Sequence, residues 1–268
     1  MRRIDGGMLR VGLIGCGNIG SVIAEAIDSR KVRCRLVSVY DKDTNMAKYL
    51  GLRLKDKPKV VNSFQGLLVG TDIIVEAASQ KAVRDYAPKA LAAGKSILIM
   101  SSGALLDKNL LDHLVKSASK NNARIYIPSG AVSGVDGIKS ASVGGVKSVL
   151  LQTTKPPKSL AGYEKVKRRK VVFEGPASEA VRLFPANVNV AAVLSLAGVG
   201  SEKTKVRIIA DPSAKRNIHE IFVYGSSGRI YSRIENIPSP GNPRTSYLAC
   251  LSAIKTLADI GGVVSVGT

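Results

Sequence analysis

A chain of 268 residues with 45% hydrophobic content is long enough for two domains, or for one large one, with an ample core. No apolar run approaches the ~18 residues of a membrane span, and the first ten residues carry three arginines but no apolar stretch, so they do not read as a secretory signal and Met8 is an alternative start. The net charge of +20 raises nucleic acid as a partner, but its densest cluster is only Lys165, Lys167, Arg168, Arg169 and Lys170. With no Trp and four Phe the chain has no aromatic platform for bases. No specific nucleic-acid partner and no membrane are expected. Cys16, Cys34 and Cys250 are an odd number at unrelated spacings, without a C-x-x-C pair. They suit a reducing cytoplasm and offer no metal site.

The first element is a buried strand at Val11, Leu13 and Ile14 that runs into Gly15, Gly17 and Gly20, after which Ile19, Val22, Ile23, Ala26 and Ile27 recur at helical spacing. With 26 glycines in the chain a chance G-x-G-x-x-G is easy, so the strand before it and the helix after it carry the inference of a dinucleotide-binding turn. Gly15 takes the tight turn, Gly17 lets a pyrophosphate approach the backbone, and Gly20 lets the helix pack closely. The helix start, Asn18, Ile19 and Gly20, faces the anion with free N–H groups. A second strand, residues 35–40, ends at Asp41, which lies 21 positions past Gly20. A carboxylate there binds ribose hydroxyls and repels a 2′-phosphate, which favours NAD; the adjacent Lys42 offsets part of that repulsion, so use of NADP stays open.

Strands at residues 59–62, 72–75, 96–100 and 124–127 then alternate with helices at 63–69, 80–93 and 107–120. This implies βαβ units and a Rossmann-type, doubly wound parallel sheet over residues 1–128. Its ligand belongs at the carboxyl ends of the strands. Glu76, Ala77, Ala78 and Ser79 follow the fourth strand there, and Ser101, Ser102, Gly103 and Ala104 the fifth. Ala78 and Ser79 are candidate cofactor contacts, and a helix N-cap is an equal reading for Ser79 and Ser102.

After Pro128 the pattern changes to longer strands at residues 147–154, 170–174, 205–210, 218–224 and 228–235, with helices at 177–184 and around 191–196. A second α+β domain with a mostly antiparallel sheet is expected over residues 129–241, and its open sheet face suggests a homodimer. Residues 242–268 form a last, helical segment, and over residues 245–260 Tyr247, Leu248, Leu251, Ile254, Leu257 and Ala258 share a helical face that packs back on the first domain. Of the two histidines, His113 lies in a helix and reads as a surface or structural residue. His219 lies in a polar stretch at the start of a strand, where alternation places it with Asn217 on a face that could line a cleft between the domains. It can titrate near neutral pH and pass protons to an amine, an imine or an attacking water.

Six ordered blocks give the chain a resemblance over nearly its whole length from Leu9: GLIGCGNIG, VEAASQKAVRDYAPKAL, SGAVSGVDGIKSAS, FEGPASEAVRLFPANVNVAA, ADPSAKRNIHEI and NPRTSYLACLSAI. The chain resembles the L-aspartate dehydrogenase family, which is related in architecture to dihydrodipicolinate reductase and homoserine dehydrogenase. The resemblance implies an NAD(P)-dependent, homodimeric oxidoreductase that converts L-aspartate to iminoaspartate, which hydrolyses to oxaloacetate and ammonia or feeds NAD biosynthesis. It also implies NAD contacts at Ala131 and Asn189 and a catalytic His219. Asn187, Arg216, Thr245 and Ser246 are candidate dicarboxylate contacts by their place in the matching blocks. Ser133 stands where the family's SGAIGG has a glycine. The competing readings are a cyclic-imine or semialdehyde reductase of the same architecture and, on charge alone, a non-catalytic NAD-sensing or nucleic-acid-binding protein.

Overall fold

The computed structural model describes residues 8–184, 189–264 and 266–267, without the side chains of Pro243 and Arg244. Asn187 lies outside the described residues. The chain divides into two compact units, one taking the chain up to Pro128 together with Cys250–Val266, the other Ser129–Ala249.

The first unit contains β1 (Leu9–Ile14), α1 (Asn18–Asp28), β2 (Cys34–Tyr40), α2 (Thr44–Arg53), β3 (Lys59–Val60), α3 (Phe64–Leu68), β4 (Ile73–Glu76), α4 (Gln80–Ala92), β5 (Ser96–Ile99), α5 (Lys108–Lys120) and β6 (Ile125–Tyr126). The strands form one parallel sheet in the order β3-β2-β1-β4-β5-β6. Val11, Leu13, Ile74, Val75 and Leu98 are fully buried, as expected of strands covered on both faces. Helix starts are set by short polar side chains: Asp43, Ser63, Ser79 and Asp107 each accept an amide of the first turn of α2, α3, α4 and α5. The strand order reverses between β1 and β4, which puts the ligand crevice of such a sheet at their carboxyl ends.

The second unit contains α6 (Val135–Gly144), β7 (Val146–Lys155), β8 (Lys170–Pro176), α7 (Ala177–Leu183), α8 (Asn189–Ala197), β9 (Thr204–Ala210), β10 (Asn217–Gly225), β11 (Gly228–Asn236), β12 (Pro238–Ser239) and β13 (Asn242–Ser246). Five strands make a mixed sheet in the order β11-β10-β7-β9-β8, antiparallel except where β7 runs parallel to β9. One face of β10 is buried through His219, Ile221 and Val223, whereas Phe222 and Tyr224 on the other are exposed. Phe222 and Tyr231 of β11 sit with ring centroids 4.9 Å apart on that exposed face.

The last helix, α9 (Tyr247–Ile260), departs from its expected form in two ways. Thr245 and Ser246 belong to β13, where Ser246 pairs with Pro238, so the helix begins later. Its buried stripe is Cys250, Ala253 and Leu257, while Leu251 is 40% exposed. Small residues at that spacing let the helix come close to β2, and the Cys34 thiol donates to the Leu257 carbonyl at 3.9 Å. All three cysteines are buried, reduced and in the first unit.

Candidate functional site

The glycine turn after β1 is a cradle whose three glycines do different work. Gly15 has φ +91°, and its N–H donates to the Tyr40 carbonyl at 2.9 Å. A Cβ on it would lie 2.6 Å from the Ala77 carbonyl oxygen, so the turn after β1 touches the loop after β4. A Cβ on Gly20 would lie 1.9 Å from the Gly15 carbonyl oxygen, which fixes how closely α1 starts behind the turn. Gly17, by contrast, has nothing within 4 Å of such a Cβ and opens α1 as its N-cap without a side-chain cap. The first turn of α1, Asn18, Ile19 and Gly20, contains no acidic side chain. An uncapped, acid-free helix start beside open space suits a pyrophosphate.

Asp41 stands at the end of β2, next to this turn. Its Oδ2 accepts the Cys16 amide at 2.7 Å and its Oδ1 the Asp43 amide at 2.9 Å. The carboxylate is therefore held in place by backbone while still half-buried at the crevice. Burial and the Asp41 charge push the Cys16 thiol up to about 12, so it is protonated and unreactive.

Glu76 fastens the next two loops together. It is fully buried; its Oε1 accepts the amides of Ala78 and Ser79 at 2.8 Å each and the Ser101 hydroxyl at 2.9 Å, and its Oε2 accepts the Ser101 amide at 3.0 Å. Burial raises the carboxyl above its ordinary range against the downward pull of those bonds. Ala78 and Ser79 thus border the turn with their amides engaged by Glu76, and the Ser79 hydroxyl caps α4 through the Ala82 amide at 3.1 Å. The N-cap reading of Ser79 is the one that the hydrogen bonds show.

In the second unit the sheet brings His219 against Thr153, with Nδ1 and Oγ1 2.9 Å apart. Nε2 is the ring nitrogen not held by Thr153. His219 is 4% exposed, and burial together with the nearby Lys155 lowers its pKa to about 3. The neutral-range titration expected for it is therefore corrected: the imidazole is neutral throughout the physiological range. Lys155, at the end of β7, was not singled out by any sequence pattern; it is buried, which lowers it to about 8. Ala131 is buried, and its carbonyl accepts the Asn236 side-chain amide at 3.0 Å. The Ser133 hydroxyl lies 2.8 Å from that of Ser232 on β11, a hydrogen bond that a glycine there would lack.

The other expected contacts scatter. Asn189 opens α8 and is exposed, Thr245 is half-buried and Ser246 buried on β13. Arg216 does not join His219. Just before β10, it lines a cavity of about 590 Å³ with Ile218, Glu220, Arg233 and Glu235; strand alternation puts Ile218 and Glu220 on the face opposite His219. His113 is exposed on α5. Among the described residues no group of three or more His, Cys, Asp or Glu is placed to hold a metal ion. Among the described residues no helix is long and apolar enough to cross a membrane.

Comparison with known proteins bears on both units. The family profile described as homoserine dehydrogenase, NAD binding domain, matches residues 15–128, and that described as aspartate dehydrogenase, C-terminal, matches residues 136–260. The L-aspartate dehydrogenases of Methanosarcina acetivorans and Methanosarcina barkeri are each 49% identical over 271 residues, covering 97% of this chain and 100% of theirs. The crystal structure of aspartate dehydrogenase from Thermotoga maritima superposes with a TM-score of 0.78 at 32% identity, covering 97% of this chain and 99% of that one.

Proposed function

The chain belongs to the L-aspartate dehydrogenase family, and on that premise we propose that it oxidises L-aspartate to iminoaspartate with NAD(P), His219 moving the protons. Bound at the glycine turn, NAD(P) supplies the hydride acceptor. Gly17 and the first-turn amides of Asn18, Ile19 and Gly20 would hold the pyrophosphate and Asp41 the ribose, with Ala78, Ser79, Ala131 and Asn189 the further cofactor contacts that we propose. A fixed carboxylate at Asp41 favours NAD over NADP, since a 2′-phosphate would face it.

The observation that carries the reading is the state of His219, the buried one of two histidines, neutral and steadied by Thr153. Loss of hydride from C2 requires an uncharged amine, so a proton leaves the substrate nitrogen before the C2–H bond breaks. The imine then takes up water, which gives a proton to a base as its oxygen bonds C2, and the leaving nitrogen takes one back as the C2–N bond breaks. His219 Nε2 suits both transfers because the neutral ring has a free lone pair or N–H to exchange and, with the Lys155 cation nearby, returns the proton readily. A dicarboxylate beside it raises its basicity by adding negative charge. Asn187, Thr245 and Ser246 remain proposed polar contacts for the carboxylates. The product feeds NAD biosynthesis in this reading, in the cytoplasm that three buried, reduced thiols suit. The exposed Phe222 and Tyr231 face is proposed as the seat of a second copy in a homodimer.

The test is absorbance at 340 nm with oxaloacetate and ammonia against NADH or NADPH, and with L-aspartate in reverse. His219→Ala is expected to lose about 10²–10⁴-fold in turnover while NADH affinity holds. Full turnover by the variant removes His219 from the chemistry. Turnover of a cyclic imine or semialdehyde in place of aspartate moves the chain to the competing reductase reading.

A further inference from the structure

His219 shares its corner of the sheet with a second ionisable group. In the antiparallel pair of β7 and β10, Thr153 lies opposite His219 and Thr154 opposite Ile218, so Lys155 falls on the His219 face one row nearer the strand end. On the other side of β10, Asn236 of β11 pairs with Asn217, two residues before His219, and belongs to that same row. Two adjacent rows of one face therefore carry Lys155, Asn217 and Asn236, then Thr153 and His219. Lys155 is 6% exposed and Asn236 4%. Lys155 thus places a cationic side chain on the face of His219, one row along the sheet.

Asn236 supplies the sign that a ligand completes this row. Its amide nitrogen is committed to the Ala131 carbonyl at 3.0 Å, which fixes the side-chain orientation, yet its buried Oδ1 has no hydrogen-bond partner among the described residues. A buried acceptor without a donor is costly and is found where something binds.

We propose that Lys155 is the residue that holds a carboxylate of the substrate, with Asn236 Oδ1 accepting a hydrogen bond from the substrate's amino nitrogen. This rests on the dehydrogenase reading above. A primary ammonium offers three donors to a carboxylate, and the amine of an amino acid offers the donor that Oδ1 lacks. The assignment also takes the place of Arg216, which lines a cavity with Ile218 and Glu220 of the opposite face. It gives the low basicity of His219 a purpose: a carboxylate that neutralises Lys155 also relieves its repulsion of the imidazolium, so the base strengthens when substrate is in place.

The experiment uses the full chain with Lys155→Met and Lys155→Arg, measuring kcat and KM for L-aspartate, Kd for NADH by fluorescence, and Kd for succinate on the NADH complex by calorimetry. In Lys155→Met the KM for aspartate and the Kd for succinate are expected to rise about 10- to 100-fold, the range for losing a hydrogen bond to a charged group, with NADH affinity unchanged. Lys155→Arg, which keeps the charge, is expected to recover part of the succinate affinity. Aspartate KM and succinate Kd within threefold of wild type in Lys155→Met overturn the proposal. Should that variant not fold by circular dichroism, Lys155→Gln is read by the same criteria. If wild type turns over no aspartate but binds succinate in a Lys155-dependent way, the dehydrogenase reading fails and the carboxylate site stands. Turnover that depends on His219 and is indifferent to Lys155 has the opposite meaning.

Discussion

Gly17 and Gly20 lie three positions apart in one turn and respond to an added methyl group for different reasons. At Gly20 the methyl would sit 1.9 Å from a backbone carbonyl oxygen, and neither atom belongs to a flexible side chain. Gly20→Ala is expected to lower the melting temperature by several degrees, in line with overpacking at about 1–3 kcal/mol or more, and to lose NADH binding with it. At Gly17 the same methyl enters open space, so Gly17→Ala is expected to keep the wild-type melting temperature while NADH affinity drops about tenfold or more as the pyrophosphate is held off the backbone. Equal NADH affinity in Gly17→Ala would move the pyrophosphate elsewhere. The tight turn at Gly15 and the close packing at Gly20 were legible in the sequence because the strand before and the helix after give the glycine spacing its meaning. The burial of Lys155 was not legible, since a lysine beside the turn Lys155–Lys158 reads as solvated until the register of β7 against β10 is known. The separation of Arg216 from His219 was hidden for the same reason: its place in a matching block said nothing about which side chains it would join.

Among the elements, the strands of the first unit were the most legible, because continuous apolar runs admit few other readings. α2 and α6 were missed. TNMAKYLGLR buries only Ala47, Leu50 and Gly51, and VDGIKSASVG only Ile138 and Ala141, so neither shows a helical apolar stripe strong enough to stand out from its glycines and polar residues. The short pair β12 and β13 was hidden in the same way, its few residues reading as the run-up to α9. At this scale Glu76 has the clearest consequence, since it joins the loops after β4 and β5 through four hydrogen bonds. Glu76→Gln keeps the size but turns an amide NH₂ toward donors. It is expected to destabilise the chain by about 1–3 kcal/mol, the cost of leaving a buried polar group unmatched, read by urea denaturation, and to weaken NADH binding together with it. Unchanged stability would mean that the loops hold their places without the carboxylate.

For the whole molecule, the charge of +20 acts on any anionic ligand as a long-range field. With a dicarboxylate substrate, kcat/KM for oxaloacetate is expected to fall about 3- to 10-fold between 20 and 200 mM salt, whereas kcat at saturation stays level. A flat profile would make the charge a property of the solvated surface alone. The division into two units has a further use. Cys16, Cys34 and Cys250 all lie inside the unit that carries the glycine turn, and the unit of His219 has no thiol. A thiol reagent added to the native protein finds nothing to modify until that one unit opens. The chain thus carries a stopwatch for half of itself: the labelling rate times the opening of the nucleotide-binding half, and its slowing by NADH would register cofactor binding with no enzymatic turnover at all.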